Sequence, residues 1–194
     1  MLYLASSSPR RRMLLEQVGL PFFVLTKLVD EMMDVEAPPR RQVEILAERK
    51  ARAAAGAVSQ GLVIGADTIV VCSGQVLGKP ADAREAEKML RLLQGRQHDV
   101  YTGVAVVEKP AGRVLVACEQ TKVKFKPLTE NEIKRYVATG EPLGKAGAYA
   151  AQGLGAIFID GIKGCFFNVV GLPIARLAQM LKEFGVDVLD PGGL

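Results

Sequence analysis

Residues 2–15, LYLASSSPRRRMLL, run an apolar strand into three serines, a proline and three arginines. Pro9 suits the first position of a helix, which makes Ser8 the expected N-cap. Free backbone N–H groups, the positive end of a helix and the guanidiniums of Arg10 and Arg11 then meet at one point, as an anion site requires. A capped helix with merely solvated arginines is the other reading of the same residues. A second anomaly is GADT within LVIGADTIVV, which sets Asp67 and Thr68 in an otherwise apolar strand. A buried carboxylate is costly unless paired, hydrogen-bonded or metal-bound. At a strand end facing a cleft, Asp67 could hold a divalent cation or activate water; a structural aspartate bonded to nearby backbone is the alternative.

Other charged positions are less distinctive. Asp30 and Glu31 stand in a polar loop, where a carboxylate becomes a ligand only beside a cation. Lys50 and Lys79 could reach phosphate as point charges, although solvated lysines are more common. GKAGAYAAQGLG at 144–155 permits close backbone approach to a ligand and offers Lys145 as a phosphate donor and Gln152 as an amide able to read a base edge, or it is a plain glycine loop. There is no GxxxxGK[ST] loop, no GxGxxG between strand and helix, and no HExxH. His98 is the only histidine; a surface or strand-end role is expected, since no triad pattern accompanies it.

Strands must alternate with helices to position these groups. The pattern predicts a strand at 2–5, a helix from Pro9 to Val18 with Met13, Leu14, Leu15 and Val18 on one face, and a strand from Phe22 to Thr26. The polar loop KLVDEMMDVEAPP leads to a helix over about Arg40 to Val58 and then to the strand bearing Asp67. Asp82 with Glu85 opens a further helix that Gly95 stops, and Thr129 with Glu132 opens another. Between them, 99–108 and 113–125 form a hairpin around KPAG. Pro173 precedes a last helix. Hairpins and crossover helices together predict an α/β or α+β fold on a mixed sheet.

The chain has 194 residues, 49% of them hydrophobic, and a net charge of +4. That length suits one domain with a substantial core, and no repeat or linker divides it. Three scattered cysteines without a CxxC pair suggest a reducing cytosol. No secretory signal and no apolar run of membrane-spanning length is present, so a cytoplasmic protein is expected.

Taken together, LASSSPRR, VDE, ERKA, GADTIV, GKPADA, HDVYTGVAV and GKAGAYAAQGLG with NVVGLP resemble the Maf family of nucleoside triphosphate pyrophosphatases over nearly the whole chain. The last two blocks look most like the branch acting on dTTP and UTP. The resemblance implies one domain over 1–194, built like the inosine triphosphate pyrophosphatases on an elongated, twisted mixed sheet flanked by helices, with two lobes around a deep cleft. It implies hydrolysis of dTTP, UTP and modified pyrimidine nucleotides to monophosphate and pyrophosphate, with a divalent cation such as Mg²⁺, Mn²⁺ or Co²⁺, in a homodimer. By position, Asp67 matches the family's proton acceptor, and with Glu31 the metal site. Arg10, Thr68 and Gln152 match the positions that shape nucleotide preference; Ser6, Ser8, Arg11, Lys50, Lys79 and Lys145 line the phosphate and metal site. Gly144 stands where the family usually has Asp, removing a carboxylate near the metal position.

Two other functions fit parts of the sequence. A nucleotide-binding regulator of septum formation and cell division would keep the binding residues without catalysis. A nucleic-acid module would need a continuous basic stripe, whereas the basic clusters at 10–12, 40–41 and 49–52 lie beside acidic residues. Neither a polynucleotide nor a membrane is therefore expected as a partner.

Overall fold

A computed structural model describes residues 1–32 and 36–190; positions 33–35 of the expected polar loop and 191–194 lie outside the described residues. The strands are β1 (Leu2–Leu4), β2 (Phe23–Val24), β3 (Gly61–Cys72), β4 (Gln75–Leu77), β5 (Gln97–Lys109), β6 (Val114–Phe125) and β7 (Ile159–Lys163). The helices are α1 (Pro9–Gln17), α2 (Pro39–Ala55), α3 (Ala83–Leu93), α4 (Glu130–Ala138), α5 (Phe166–Val170) and α6 (Ile174–Lys182). Six strands follow the order β2-β1-β3-β5-β6-β7, and β4 pairs with β3. β1 is parallel to β2 and β3, while β4 is antiparallel to β3 and β7 to β6, so the sheet is mixed and the helices flank it. Among the described residues no helix is long and apolar enough to cross a membrane.

The chain forms two compact units. The first comprises Met1–Asp67, Thr102–Glu119 and Gly171–Leu194, the second Thr68–Tyr101 and Gln120–Val170. In the first unit, α2 turns Val43, Leu46, Ala47, Ala51, Ala54 and Ala55 inward, with its alanines packed against Ala5, Val63, Ala105 and Val107. Small side chains let this helix lie close to the strands. The closeness is absolute at two places. A Cβ on Gly65 of β3 would collide with the Ala47 carbonyl oxygen, and one on Gly103 of β5 with the Val43 carbonyl oxygen. Met13, expected on the inner face of α1, is exposed; Leu14 and Leu15 carry that contact.

In the second unit, α3 and α4 begin as their sequences dictate. Asp82 accepts the Glu85 N–H at 2.8 Å, and Thr129 with Glu132 forms a full capping box. Their apolar faces, including Leu90, Leu93, Ile133 and Tyr136, close over Val70, Val100, Val123, Phe125 and Phe158. His98 belongs to this core and not to the surface: it is 1% exposed. Its Nε2 lies 2.9 Å from the Tyr149 hydroxyl, and its ring meets Phe125 and Tyr149 edge-on. The reason is the period of two in β5, which puts His98 on the same buried face as Val100 and Thr102. β4 and α5 were not anticipated; β4 follows from a Ser73-Gly74 turn with φ of 50° and 78°.

Candidate active site

In the first unit, Asp67 lies in the middle of β3, not at its end, and is nearly buried. Gly65 brings α2 against the strand, and Lys50, between the contact residues Ala47 and Ala51, reaches the carboxylate two residues further along. Lys50 Nζ is 2.6 Å from Asp67 Oδ1 and 2.6 Å from Glu31 Oε1. Two oxygens so placed lie no more than about 5 Å apart, a span that one divalent cation with ligands at roughly 2.0–2.6 Å can bridge. The donor set, two carboxylates converging on a position now held by an ammonium, fits a hard divalent cation.

The opening motif forms the start of α1. Ser8 occupies the N-cap with extended backbone and Pro9 the first helical position, but the Ser8 side chain makes no capping bond. Ser6 Oγ accepts the Ser8 N–H at 3.2 Å and an Arg11 Nη1 hydrogen at 3.2 Å, while Arg11 Nε donates to the Gly171 carbonyl at 2.7 Å. The serine-arginine block is thereby tied to the NVVGLP block 160 residues away. Burial lowers the Arg11 guanidinium's pKa, Asp67 and Glu31 oppose the change, and neighbouring Arg10 adds to it. Burial also lowers Arg10. Arg10 is half-buried and, among the described residues, has no hydrogen bond or ion pair. A partly desolvated guanidinium beside a second one, at a helix start, is arranged for an anion.

The remaining predicted residues belong to the second unit. Thr68 is half-buried on β3, Lys79 is exposed after β4, Lys145 is half-buried, and Gln152 is exposed. The Gly147 N–H donates to the Gly78 carbonyl at 3.0 Å, which joins the GKP and KAG segments and so the backbones beside Lys79 and Lys145. Gly144 has φ of 72°, a region that Asp tolerates better than most residues, and a Cβ there would meet nothing within 4 Å. Gly144 therefore borders open space and leaves no packing defect.

Sequence reasoning missed three contributors. Gly65 and Gly103 read only as glycines in strands, which can signal close backbone approach. Glu141 gave no sign beyond lying just before the KAG block; its carboxylate ties down the loop that carries Gln152.

The sequence matches the family model described as Maf-like protein over residues 1–184. The chain belongs to the Maf family. A Maf relative from Pelotomaculum thermopropionicum, named dTTP/UTP pyrophosphatase, is 61% identical over 186 residues, covering 96% of this chain and 97% of its own. A relative from Moorella thermoacetica with the same name is 54% identical over 187 residues, 96% of each chain. The solved Staphylococcus aureus Ham1 protein overlaps 64% of this chain and 71% of its own at 17% identity with a TM-score of 0.42, a likeness too slight to carry an argument.

Proposed function

We propose that this Maf protein is a nucleoside triphosphate pyrophosphatase that hydrolyses dTTP and UTP to the monophosphate and pyrophosphate. The observation that carries the reading is the convergence of Glu31 and Asp67 on one cation position, within electrostatic reach of the paired guanidiniums at the start of α1. The names of relatives 61% and 54% identical support the substrate.

A triphosphate brings about four negative charges, so positive charge around the phosphates is the first requirement. Arg10, Arg11 and the α1 N-terminus supply fixed donors, with Ser6 and Ser8 beside them, and Lys79 and Lys145 add point charges. A divalent cation of the Mg²⁺, Mn²⁺ or Co²⁺ kind would be held by Asp67 and Glu31 and would supply Lewis-acid charge. Lys50 Nζ, which sits between the two carboxylates, would give way to the cation and turn to the phosphates. Asp67 accepts the proton of the water that attacks the α-phosphorus, and pyrophosphate leaves. Thr68 and Gln152 offer a hydroxyl and an amide to the pyrimidine edge, and a site built on such bonds rejects bases that leave them unpaired.

Residues 1–194 act in this reading as a single Maf domain, supported by a family match that spans both compact units. Three free thiols support a cytoplasmic setting. The homodimer rests on the family resemblance alone. The test is a pyrophosphate-release panel with dTTP, UTP, CTP, ATP and GTP and added Mg²⁺ or Mn²⁺. Fastest turnover of dTTP and UTP supports the proposal; nucleotide binding without release would favour the regulatory reading.

A further inference from the structure

A loop can read a base only when its own backbone is fixed to within a fraction of an ångström. The segment around Gln152 has no regular strand or helix pairing to do this, only short 3-10 turns at Ala146–Ala148 and Leu154–Phe158. Two side chains, Tyr136 in the last turn of α4 and Glu141 just beyond it, take over that work. Glu141 Oε1 accepts the Tyr136 hydroxyl at 2.8 Å and the Gly155 N–H at 3.0 Å, and Oε2 accepts the Leu154 N–H at 2.9 Å. The Tyr136 oxygen in turn accepts the Ala150 N–H at 3.2 Å. Gln152 is therefore bracketed on both sides by backbone bound to this pair. The Glu141 main-chain carbonyl also receives Lys145 Nζ at 2.6 Å.

The loop sequence is cut to fit the carboxylate. A Cβ at Gly153 would collide with Glu141 Oε2, and one at Gly155 would come within 2.8 Å of the Tyr136 oxygen and 2.9 Å of the Ala150 carbonyl. Burial on its own would raise the Glu141 carboxyl's pKa, but the Gly155 and Leu154 N–H groups, the Tyr136 hydroxyl and the Lys145 charge bring it below its ordinary value. Burial and the Glu141 bond push the Tyr136 phenol up, so it stays a donor.

We propose that Glu141, backed by Tyr136, is a specificity-determining positioning residue, which fixes the Gln152 loop and the Lys145 ammonium so that base and phosphate are read in one register. This rests on the assignment of Gln152 and Lys145 as nucleotide contacts. Glu141→Gln probes it with almost no change of shape. An amide keeps one acceptor oxygen, so its NH₂ must face either the Leu154 N–H or the Tyr136 and Gly155 donors, and one side of the loop comes loose.

The experiment measures kcat and KM for UTP and GTP, and equilibrium binding of their α,β-imido analogues, in wild type, Glu141→Gln and Tyr136→Phe. In Glu141→Gln the UTP KM should rise and the affinity for the UTP analogue fall about tenfold, with the UTP-to-GTP preference falling at least about fivefold. Tyr136→Phe, which leaves both N–H bonds to Glu141, should shift the same quantities less. Wild-type preference ratios in the folded Glu141→Gln protein, or a uniform loss of kcat with unchanged ratios, would overturn the positioning role. A wild type that binds the UTP analogue but releases no pyrophosphate would overturn the catalytic reading instead, and the analogue-affinity ratio would still decide the role of Glu141. A wild type that binds neither analogue would overturn both.

Discussion

Lys50 Nζ lies 2.6 Å from Asp67 Oδ1, and the two side chains are each 12% exposed. This contact joins α2 to the middle of β3 and orients the one carboxylate of the GADT segment. Asp67→Asn keeps the shape and an acceptor for Lys50, whose ammonium retains Glu31. The predicted cost in folding is therefore modest, about 1–3 kcal/mol. Turnover of UTP should drop on the order of a hundredfold or more, because the amide can neither accept the water's proton nor serve as an anionic ligand. Steady-state kinetics with a thermal midpoint on the same sample checks both parts; near-normal kcat would remove Asp67 from the chemistry.

Gly65 makes that contact possible. In Gly65→Ala the added methyl has to push the Ala47 carbonyl and the Ala51 N–H away from β3, an overpacking defect of about 1–3 kcal/mol or more. Lys50 would move with the helix. The expected outcome is a lower thermal midpoint together with a fall in kcat/KM at temperatures where the variant is fully folded. Unchanged values of both would contradict the close packing of α2 on the strand.

Arg10 and Arg11 should respond differently to substitution. Arg11 is engaged by Ser6 and the Gly171 carbonyl, so Arg11→Ala is expected to lose stability as well as activity. Arg10 has no protein partner among the described residues. Arg10→Ala should leave the midpoint within a degree or two while lowering kcat/KM about tenfold or more, since a charge-assisted bond to phosphate is strong and a guanidinium with no bond to the protein adds little to folding. Parallel thermal and kinetic measurements decide it, and full activity in Arg10→Ala would make the arginine a bystander.

His98 predicts a pH effect on stability. Burial lowers its pKa to about 4, with Asp99 partly opposing, against about 6.5 in an unfolded chain. Between these values the unfolded chain binds a proton that the folded protein refuses. The stability linked to a neutral His98 is complete above about pH 6.5, declines as the pH falls, and is lost near pH 4, a loss of up to about 3 kcal/mol. Stability of His98→Phe, measured by urea unfolding at pH 7 and pH 4.5, should fall less on acidification than that of wild type. Proton NMR of the chain's only imidazole gives a direct check: a midpoint near 6.5 in the folded protein would contradict its burial.

Much of the candidate site was legible because its residues break local rules. An aspartate in an apolar strand and guanidiniums after a helix-initiating proline are anomalies that chemistry can explain, and the caps at Asp82 and Thr129 are local patterns that folded as written. What escaped was set by contacts distant in sequence. Nothing near Gly65 or Gly103 says that a helix carbonyl will press on them. Glu141 is an ordinary loop glutamate until Leu154 and Gly155 fold back onto it. His98 was legible and misread: its alternation with Val100 and Thr102 marks the buried face of β5, but its Tyr149 partner stands 51 residues away.

The central claim is that water attacks the α-phosphorus of a pyrimidine triphosphate, so that pyrophosphate is the leaving group. Hydrolysis of UTP by the wild-type protein in oxygen-18 water, followed by mass spectrometry of the products, tests it most directly. The account predicts equimolar UMP and pyrophosphate with the heavy oxygen in UMP; label in pyrophosphate, or release of UDP and labelled inorganic phosphate, would contradict it.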